Sequence, residues 1–273
     1  MIKLCVFDVD GTLVTKGTRK IPTSCIHALK ELQQQGIKVA IASGRAPFAM
    51  EKDLIKQIRF DYFVCSNGAY VETGDHKPLY QFQLTAEETL YLIQMFRNTD
   101  NALMFQNADA AHCYHGYKRI SHMLEGFLGR LDILIDDRES DTYLQDTLPL
   151  AAVAKIEDNE IEKMKMAFPQ FVFTPFNPTF YDINGPHNKA TGIEHICKAM
   201  NCSMDDVICF GDDYNDMEMV QACGIGVAMG DAREALREVA DYVTDICSRD
   251  GIAKALKHYG MIQEVRNDEI VSE

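Results

Sequence analysis

The sequence has few basic residues for its acidic content, with 27 Lys and Arg against 41 Asp and Glu and a formal net charge of −14. A nucleic-acid backbone requires a basic surface, so this deficit argues against nucleic acid as the main partner. If the protein binds phosphate, the attraction must come from local groups.

The sequence also lacks any run approaching the roughly 18 apolar residues that cross a membrane, and Asp8 arrives before a signal peptide could complete its apolar region. Its nine cysteines include no C-x-x-C pair, a pattern typical of reduced, buried thiols. We therefore expect a soluble cytoplasmic protein, monomeric or homodimeric, that binds neither a membrane nor nucleic acid.

Two parts of the sequence alternate strand-like and helix-like segments. Near the N-terminus, a helix from Thr23 with Gly36 as its stop is followed by the strand KVAIA and by Pro47, which suits the first turn of another helix. The C-terminal part alternates in the same way from NKATGIEHICKAM to DYVT. This alternation predicts a doubly wound, mostly parallel, Rossmann-like sheet with functional loops at the carboxyl ends of its strands.

The middle of the chain mixes helix-like stretches (AEETLYLIQMFR, DNEIEKMKMAF) with short strand-like pieces (RLDILI, FVFTPF). Turn-forming residues cluster near Lys77-Pro78 and at Asn184-Gly185-Pro186. We therefore predict an α/β protein with a catalytic core of residues 1–80 and 185–273 and an inserted α+β cap domain of residues 81–184.

Aspartates follow two of the predicted strands. FDVDGTL places Asp8 and Asp10 two residues apart, and GDDYNDMEM supplies Asp212 and Asp216 after the VICF strand. An extended chain through Asp10 would turn both of its carboxylates the same way, where they repel unless a cation, a proton or solvent intervenes. Hard oxygen ligands at two strand ends are typical of a magnesium site that also receives a substrate phosphate.

Two further features favour phosphate binding. Ser43 and Gly44 lie between a strand and a predicted helix N-terminus, where a hydroxyl and free backbone amides can hold an anion. Lys189 opens the NKATGIEHI helix and could neutralise a phosphoryl group. Taken singly, Ser43 would more often be a helix N-cap, a role compatible with phosphate binding, and Lys189 an ordinary surface lysine.

Other interpretations of these motifs are weaker. Turn formation and helix capping alone would account for Asp8 and Asp10 if the other motifs were absent. A calcium-binding EF-hand loop fails because the twelfth position from Asp8 is Arg19 where Glu is needed. GIGVAMG, residues 224–230, lacks the glycine spacing of a dinucleotide-binding loop.

In order, FDVDGTL, IASGR, Lys189 in NKATGI and GDDYND resemble the four motifs of the haloacid dehalogenase-like hydrolases. The inserted segment resembles the large cap of the Cof-type sugar-phosphate phosphatases, and the resemblance covers essentially the whole chain. It implies a Mg²⁺-dependent phosphatase of small phosphorylated metabolites. Sugar phosphates are the first expectation, with pyridoxal phosphate or a flavin mononucleotide as other candidates.

The resemblance also implies a role for each acidic residue. Asp8 would be the nucleophile that forms an aspartyl-phosphate, and Asp10 the general acid and base. Magnesium would be held by the Asp8 carboxylate, the Asp10 main-chain carbonyl and Asp212, with Asp216 orienting coordinated waters. A phosphomutase, or a non-catalytic regulator that binds a phosphorylated metabolite, would use the same scaffold.

The phosphate-binding residues implied by the resemblance are Ser43, Gly44, Lys189 and Asn215. Asn67 in SNGAY matches a family loop near the substrate and is otherwise a turn residue. The chain departs from the family at Ala190, where Gly is common, and at Asp213, where a small residue is common.

Overall fold

The computed structural model describes residues 1–15, 20–50, 56–97, 99–129, 131–138 and 147–263. Arg19 and part of the helix predicted after Pro47 lie outside these ranges; the described part of that segment contains a single 3-10 turn, Pro47–Ala49.

The secondary structure follows the predicted alternation. The described strands are β1 (Leu4–Phe7), β2 (Lys38–Ala42), β3 (Tyr62–Cys65), β4 (Tyr70–Thr73), β5 (Pro78–Gln81), β6 (Ala102–Gln106), β7 (Ala111–His115), β8 (Leu134–Asp136), β9 (Ala151–Lys155), β10 (Val172–Asn177), β11 (Phe180–Asn184), β12 (Val207–Gly211), β13 (Ile225–Ala228) and β14 (Tyr242–Val243). The described α-helices are α1 (Thr23–Gln34), α2 (Ala86–Phe96), α3 (Tyr117–Leu128), α4 (Ile161–Ala167), α5 (Lys189–Met200), α6 (Met217–Ala222), α7 (Glu234–Val239) and α8 (Gly251–His258).

The strands form two sheets. The eight-stranded sheet has the order β14-β13-β12-β1-β2-β3-β4-β5, and the six-stranded sheet has the order β10-β11-β9-β6-β7-β8. In the first, β1, β12, β13 and β14 pair in parallel, whereas β4 pairs antiparallel with both β3 and β5. The α/β class and the mostly parallel sheet are confirmed, and the sequence did not reveal the antiparallel edge.

Burial explains why the parallel strands read as unbroken apolar runs. Every residue of β1 and β12 is buried, as expected for strands covered on both faces. Asn188 and Thr191 form a capping box at the start of α5, and this pairing sets where the helix begins.

The six-stranded sheet is packed on both faces. On one face, Leu103 and Phe105 of β6 pack in a cluster with Phe96 of α2. On the other face, Met104 packs with Ile120 of α3. This alternation follows the two-residue period of a strand. All six strands lie within residues 102–184.

The chain divides into two compact units: the first contains Met1–Ala40, Asp53–Asp61 and Ser203–Glu273, and the second contains Ile41–Lys52 and Tyr62–Cys202. The boundaries of the predicted catalytic and cap domains stay a prediction. All nine cysteines are free thiols, and eight of them are buried, as the sequence predicted. In the part of the chain that the structure describes, no helix is long and apolar enough to cross a membrane.

Gly68 is the most constrained glycine of the second unit. Its φ is +100°, and an added Cβ would lie 2.1 Å from the carbonyl oxygen of Asn188. Gly36 also has a positive φ, +81°, but a Cβ there would meet nothing within 4 Å.

We predict that Gly68→Ala lowers the free energy of unfolding by about 2–5 kcal/mol, because backbone strain and overpacking add. Gly36→Ala, the matched control, should lose about 1–2 kcal/mol from strain alone. Urea denaturation of both variants measures the difference. Equal losses would show that the approach to Asn188 costs nothing.

His187 is a buried side chain whose two ring nitrogens have no hydrogen-bond partner among the described residues. Its ring packs at 4.8 Å from the ring of Phe82, and burial lowers its pKa from 6.5 to about 4. The folded state therefore resists protonation that the unfolded state accepts.

We predict that the contribution of His187 to the free energy of unfolding falls by about 3 kcal/mol as pH drops from about 6.5 to about 4, because only the unfolded chain binds this proton. His187→Phe keeps the aromatic packing and should remove that part of the pH dependence. Urea denaturation at several pH values tests this, and the same slope in both proteins would contradict it.

Candidate active site

The loop after β1 separates the two aspartates of the first motif. The Asp8 amide donates to the Phe210 carbonyl at 3.0 Å, and the chain then turns at Gly11, whose φ is +101°. The strand therefore ends at Phe7. The extended chain through Asp10 that would have turned both carboxylates the same way is not formed. Asp10 is half-buried and forms an isolated bridge with Val14.

Three buried carboxylates converge in the first unit. Asp8, Asp212 and Asp216 each offer an oxygen, and these oxygens all lie within 4.8 Å of one another. They come from the ends of β1 and β12, two neighbouring parallel strands. The Asp10 side chain is not one of the three. The resemblance implies that Asp10 would contribute its main-chain carbonyl to the metal instead. Hard oxygen donors gathered at this spacing fit a divalent cation such as Mg²⁺.

Backbone amides hold Asp216 in this cluster. One oxygen of its carboxylate accepts from the amides of Asp212 and Asp213, at 2.8 and 3.0 Å. Gly211 makes this possible, since a Cβ there would lie 2.5 Å from the Asp216 side chain. The side chain of Asp216 therefore occupies space that any residue other than glycine would fill.

Thr12 is a site residue that the sequence reasoning did not single out. Its side chain is fully buried, and its hydroxyl donates to Asp212 Oδ1 at 3.1 Å. The signal was present, because Thr12 belongs to the FDVDGTL motif. Only the fold places it against a carboxylate 200 residues away.

Asp213, which departs from the family pattern, is not part of the carboxylate trio and has other partners. Its carboxylate accepts from Arg233 Nε at 3.0 Å and from the Tyr214 amide at 2.8 Å. The hydrogen bond to Asp213 raises the pKa of the Arg233 guanidinium above its usual range. Asn215 is half-buried in the 3-10 turn that this carboxylate caps, Tyr214–Asp216.

In the second unit, Ser43 and Gly44 form a loop that is tied to the SNGAY segment. Ser43 is buried, its hydroxyl accepts from the Arg45 amide at 3.2 Å, and its carbonyl accepts from the Asn67 amide at 3.0 Å. The N-cap of the following 3-10 turn is Ala46, so the helix-cap alternative for Ser43 is wrong.

The SNGAY segment is a strained turn. Ser66, Asn67 and Gly68 have φ values of +46°, +50° and +100°, a run that two non-glycine residues adopt only at an energetic cost. The Ser66 hydroxyl donates to Gln106 Oε1 at 2.9 Å, and the Ser66 amide donates to the Arg45 carbonyl. Such strain is typical of functional sites that are held in place by their surroundings.

Lys189 is fully buried at the first position of α5. The surface-lysine alternative is therefore wrong. A buried ammonium group is costly unless anionic or polar groups compensate it, so its location supports a role in charge neutralisation.

Asp182 is the second residue that the sequence reasoning missed. Asn67 Nδ2 donates to Asp182 Oδ2 at 3.1 Å. Burial raises the pKa of Asp182 to about 7, against the lowering effects of the Asn67 hydrogen bond and the charge of Lys189. Asp182 lies in the strand sequence FYDIN, outside every motif, so nothing in the sequence singled it out. Its contact with Asn67 is visible only in the fold.

The structure thus brings together Asp8, Asp212 and Asp216 in the first unit. In the second, a hydrogen bond and close packing join Ser43, Gly44 and Asn67, and Lys189 acts electrostatically on Asp182, the hydrogen-bond partner of Asn67.

The first unit thus holds a buried carboxylate trio after two parallel strands, and the second holds a strained polar turn and a buried lysine. The family profile described as haloacid dehalogenase-like hydrolase matches residues 5–256, and the chain belongs to this family. The putative phosphatase YkrA of Bacillus subtilis is 32% identical over 96% of this chain and 99% of its own.

Solved structures are similar as well. The phosphatase BT1666 from Bacteroides thetaiotaomicron is 29% identical, with a TM-score of 0.85 over 96% of each chain. The sugar phosphatase BT4131, of HAD subclass IIB, is 28% identical, with a TM-score of 0.84 over 95% of this chain and 100% of its own.

These likenesses establish the class of the protein. It is a phosphoric monoester hydrolase with the fold of the family, including a cap domain, and the family's phosphatases act on small phosphorylated compounds. They are metal-dependent enzymes, and the buried aspartate trio is the matching feature of this chain.

We predict that Asp212→Asn weakens Mg²⁺ binding at least tenfold in isothermal titration calorimetry, because it removes one anionic ligand from a buried set. Asp213→Asn is the matched control, being the same change one residue along, and should bind Mg²⁺ within about threefold of wild type, since the Asp213 carboxylate is paired with Arg233. A larger loss in Asp213→Asn than in Asp212→Asn would exclude this arrangement.

Proposed function

We propose that the protein is a magnesium-dependent phosphatase that hydrolyses sugar phosphates through an aspartyl-phosphate on Asp8. The observation that carries this proposal is the convergence of three buried carboxylates from the first and fourth motifs. Three such charges repel one another strongly, and a divalent cation relieves that repulsion.

The donor set supports magnesium. Asp8 and Asp212 would hold the ion directly, together with the Asp10 carbonyl, and Asp216 would orient its waters. When bound, the ion would offset the charge of a phosphate dianion and so permit a carboxylate to approach it.

The chain's own residues perform the bond changes. An Asp8 oxygen attacks phosphorus, and the bond from phosphorus to the leaving alcohol breaks as Asp10 gives that alcohol a proton. Asp10 then takes a proton from water, which attacks the aspartyl-phosphate and releases inorganic phosphate. Asp8 is regenerated as a carboxylate.

Positioning and charge neutralisation must supply most of the acceleration, which reaches ~10²¹-fold for phosphate monoesters. Ser43, Gly44 and Asn215 would donate to phosphate oxygens, and Lys189 would place a buried positive charge against them. The complete burial of Lys189 strengthens this assignment, because a desolvated cation interacts more strongly than one in water.

The sugar-phosphate preference is supported by the likeness to BT4131, which is named a sugar phosphatase. A panel of phosphorylated metabolites assayed with Mg²⁺ and with a chelator tests it. A greater rate with pyridoxal phosphate or flavin mononucleotide would make that compound, and not a sugar phosphate, the proposed substrate. Isomerised sugar phosphate formed without free phosphate would instead indicate a phosphomutase.

Substitution of each of the two aspartates of the first motif should have a different effect on the kinetics. With para-nitrophenyl phosphate, Asp8→Asn should lower kcat by at least ~10³-fold, because no covalent intermediate can form. Asp10→Asn should still release one equivalent of nitrophenol, a good leaving group, and then stall as a phosphoenzyme. Rapid-quench kinetics measures this burst. Turnover that survives Asp8→Asn would exclude the mechanism.

A further inference from the structure

Asp182, Asn67 and Gly44 form one contiguous packed group in the second unit. Asn67 Nδ2 donates to Asp182 Oδ2 at 3.1 Å. A Cβ built on Gly44 would lie 3.3 Å from both terminal atoms of the Asn67 amide and 3.4 Å from Asp182 Oδ2. The carboxylate therefore packs beside Gly44, in the loop to which the proposed function assigns phosphate binding.

We propose that Asp182 is a positioning residue that fixes the Asn67 carboxamide against the Ser43-Gly44 loop and balances Lys189, so that this loop and Lys189 are set to bind the phosphoryl group. This inference rests on the proposed function. Nothing in the family motifs points to Asp182.

The direction of the amide is the first consequence. An ionised carboxylate only accepts hydrogen bonds, so Asp182 selects the Asn67 rotamer with the amino group facing it. The Asn67 carbonyl oxygen then faces away from Asp182. The backbone cannot easily yield, because Asn67 lies in the positive-φ run and its amide is bonded to the Ser43 carbonyl.

Charge balance is the second consequence. Lys189 is fully buried, and its attraction acts on the Asp182 carboxyl group against the effect of burial. Among the described residues, Lys189 is the charged group that acts on Asp182 and Asn67 is its polar partner. Since Asp182 titrates at about pH 7, its hold on Asn67 should weaken when it takes up a proton.

The test compares Asp182→Asn with Glu72→Gln, which removes another carboxylate of the second unit, a buried one that is bonded to His76 instead. We expect Asp182→Asn to raise both KM for para-nitrophenyl phosphate and the inhibition constant of inorganic phosphate about tenfold, with kcat within about threefold. Glu72→Gln should leave all three constants unchanged. A change confined to the melting temperature would mean a structural role and overturn the proposal.

Asn67→Gly provides a second variant that tolerates the positive φ. It should raise the phosphate inhibition constant as Asp182→Asn does, and adding Asp182→Asn to it should have little further effect, because both remove the same interaction. An unchanged constant in Asn67→Gly overturns the proposal even if Asp182→Asn fails to fold. Independent, additive effects overturn it as well.

The pH dependence separates positioning from simple loss of packing. The ratio of the phosphate inhibition constants of Asp182→Asn and wild type should fall toward one between about pH 8 and about pH 6, as wild-type Asp182 becomes protonated. The titration of phosphate itself cancels in this ratio. A constant ratio contradicts the inference, whereas loss of turnover in Asp8→Asn tests the proposed function separately.

Discussion

The repulsion among Asp8, Asp212 and Asp216 is the constraint on which the loops after β1 and β12 in the first unit depend. Three carboxylates within 4.8 Å of one another, all buried, cannot remain charged together without a cation or a proton. The surrounding structure is built to keep them there: Thr12 donates to Asp212, two amides hold Asp216, and Gly211 leaves room for it. These contacts hold the three carboxylates in an arrangement that fits a divalent cation.

The second unit contains a buried charge of the opposite sign, the ammonium group of Lys189. Lys189 has no exposed surface, and its charge acts on the Asp182 carboxylate. The same carboxylate holds Asn67, which lies in the strained turn beside the Ser43 loop. Charge compensation and loop geometry thus depend on one side chain, which is why we assign it a positioning role.

Much of the fold was predictable because the spacing of apolar residues within a short segment indicates which side of a helix or strand is buried. KVAIA became β2 with the predicted bounds, and the NKATGIEHICKAM helix begins at Lys189 as its capping residues indicate. RLDILI was less informative, since among its described residues only Leu134 and Ile135 belong to a strand, Leu134–Asp136. The antiparallel edge β3–β5 was missed because its short strands depend on pairing with neighbours, which no local pattern records.

The order and chemistry of the motifs were enough to determine the family, the α/β alternation and the acidic residues that converge. Motifs report residues whose chemistry is distinctive in a short window, such as Asp8 in FDVDGTL. Tertiary structure alone decided that the Asp10 side chain is not part of the trio, that the Thr12 hydroxyl donates to Asp212, and that Asp182 accepts from Asn67. Each depends on atoms brought together by the loop after β1 or from segments over 100 residues apart, and such contacts leave no periodic trace in the chain.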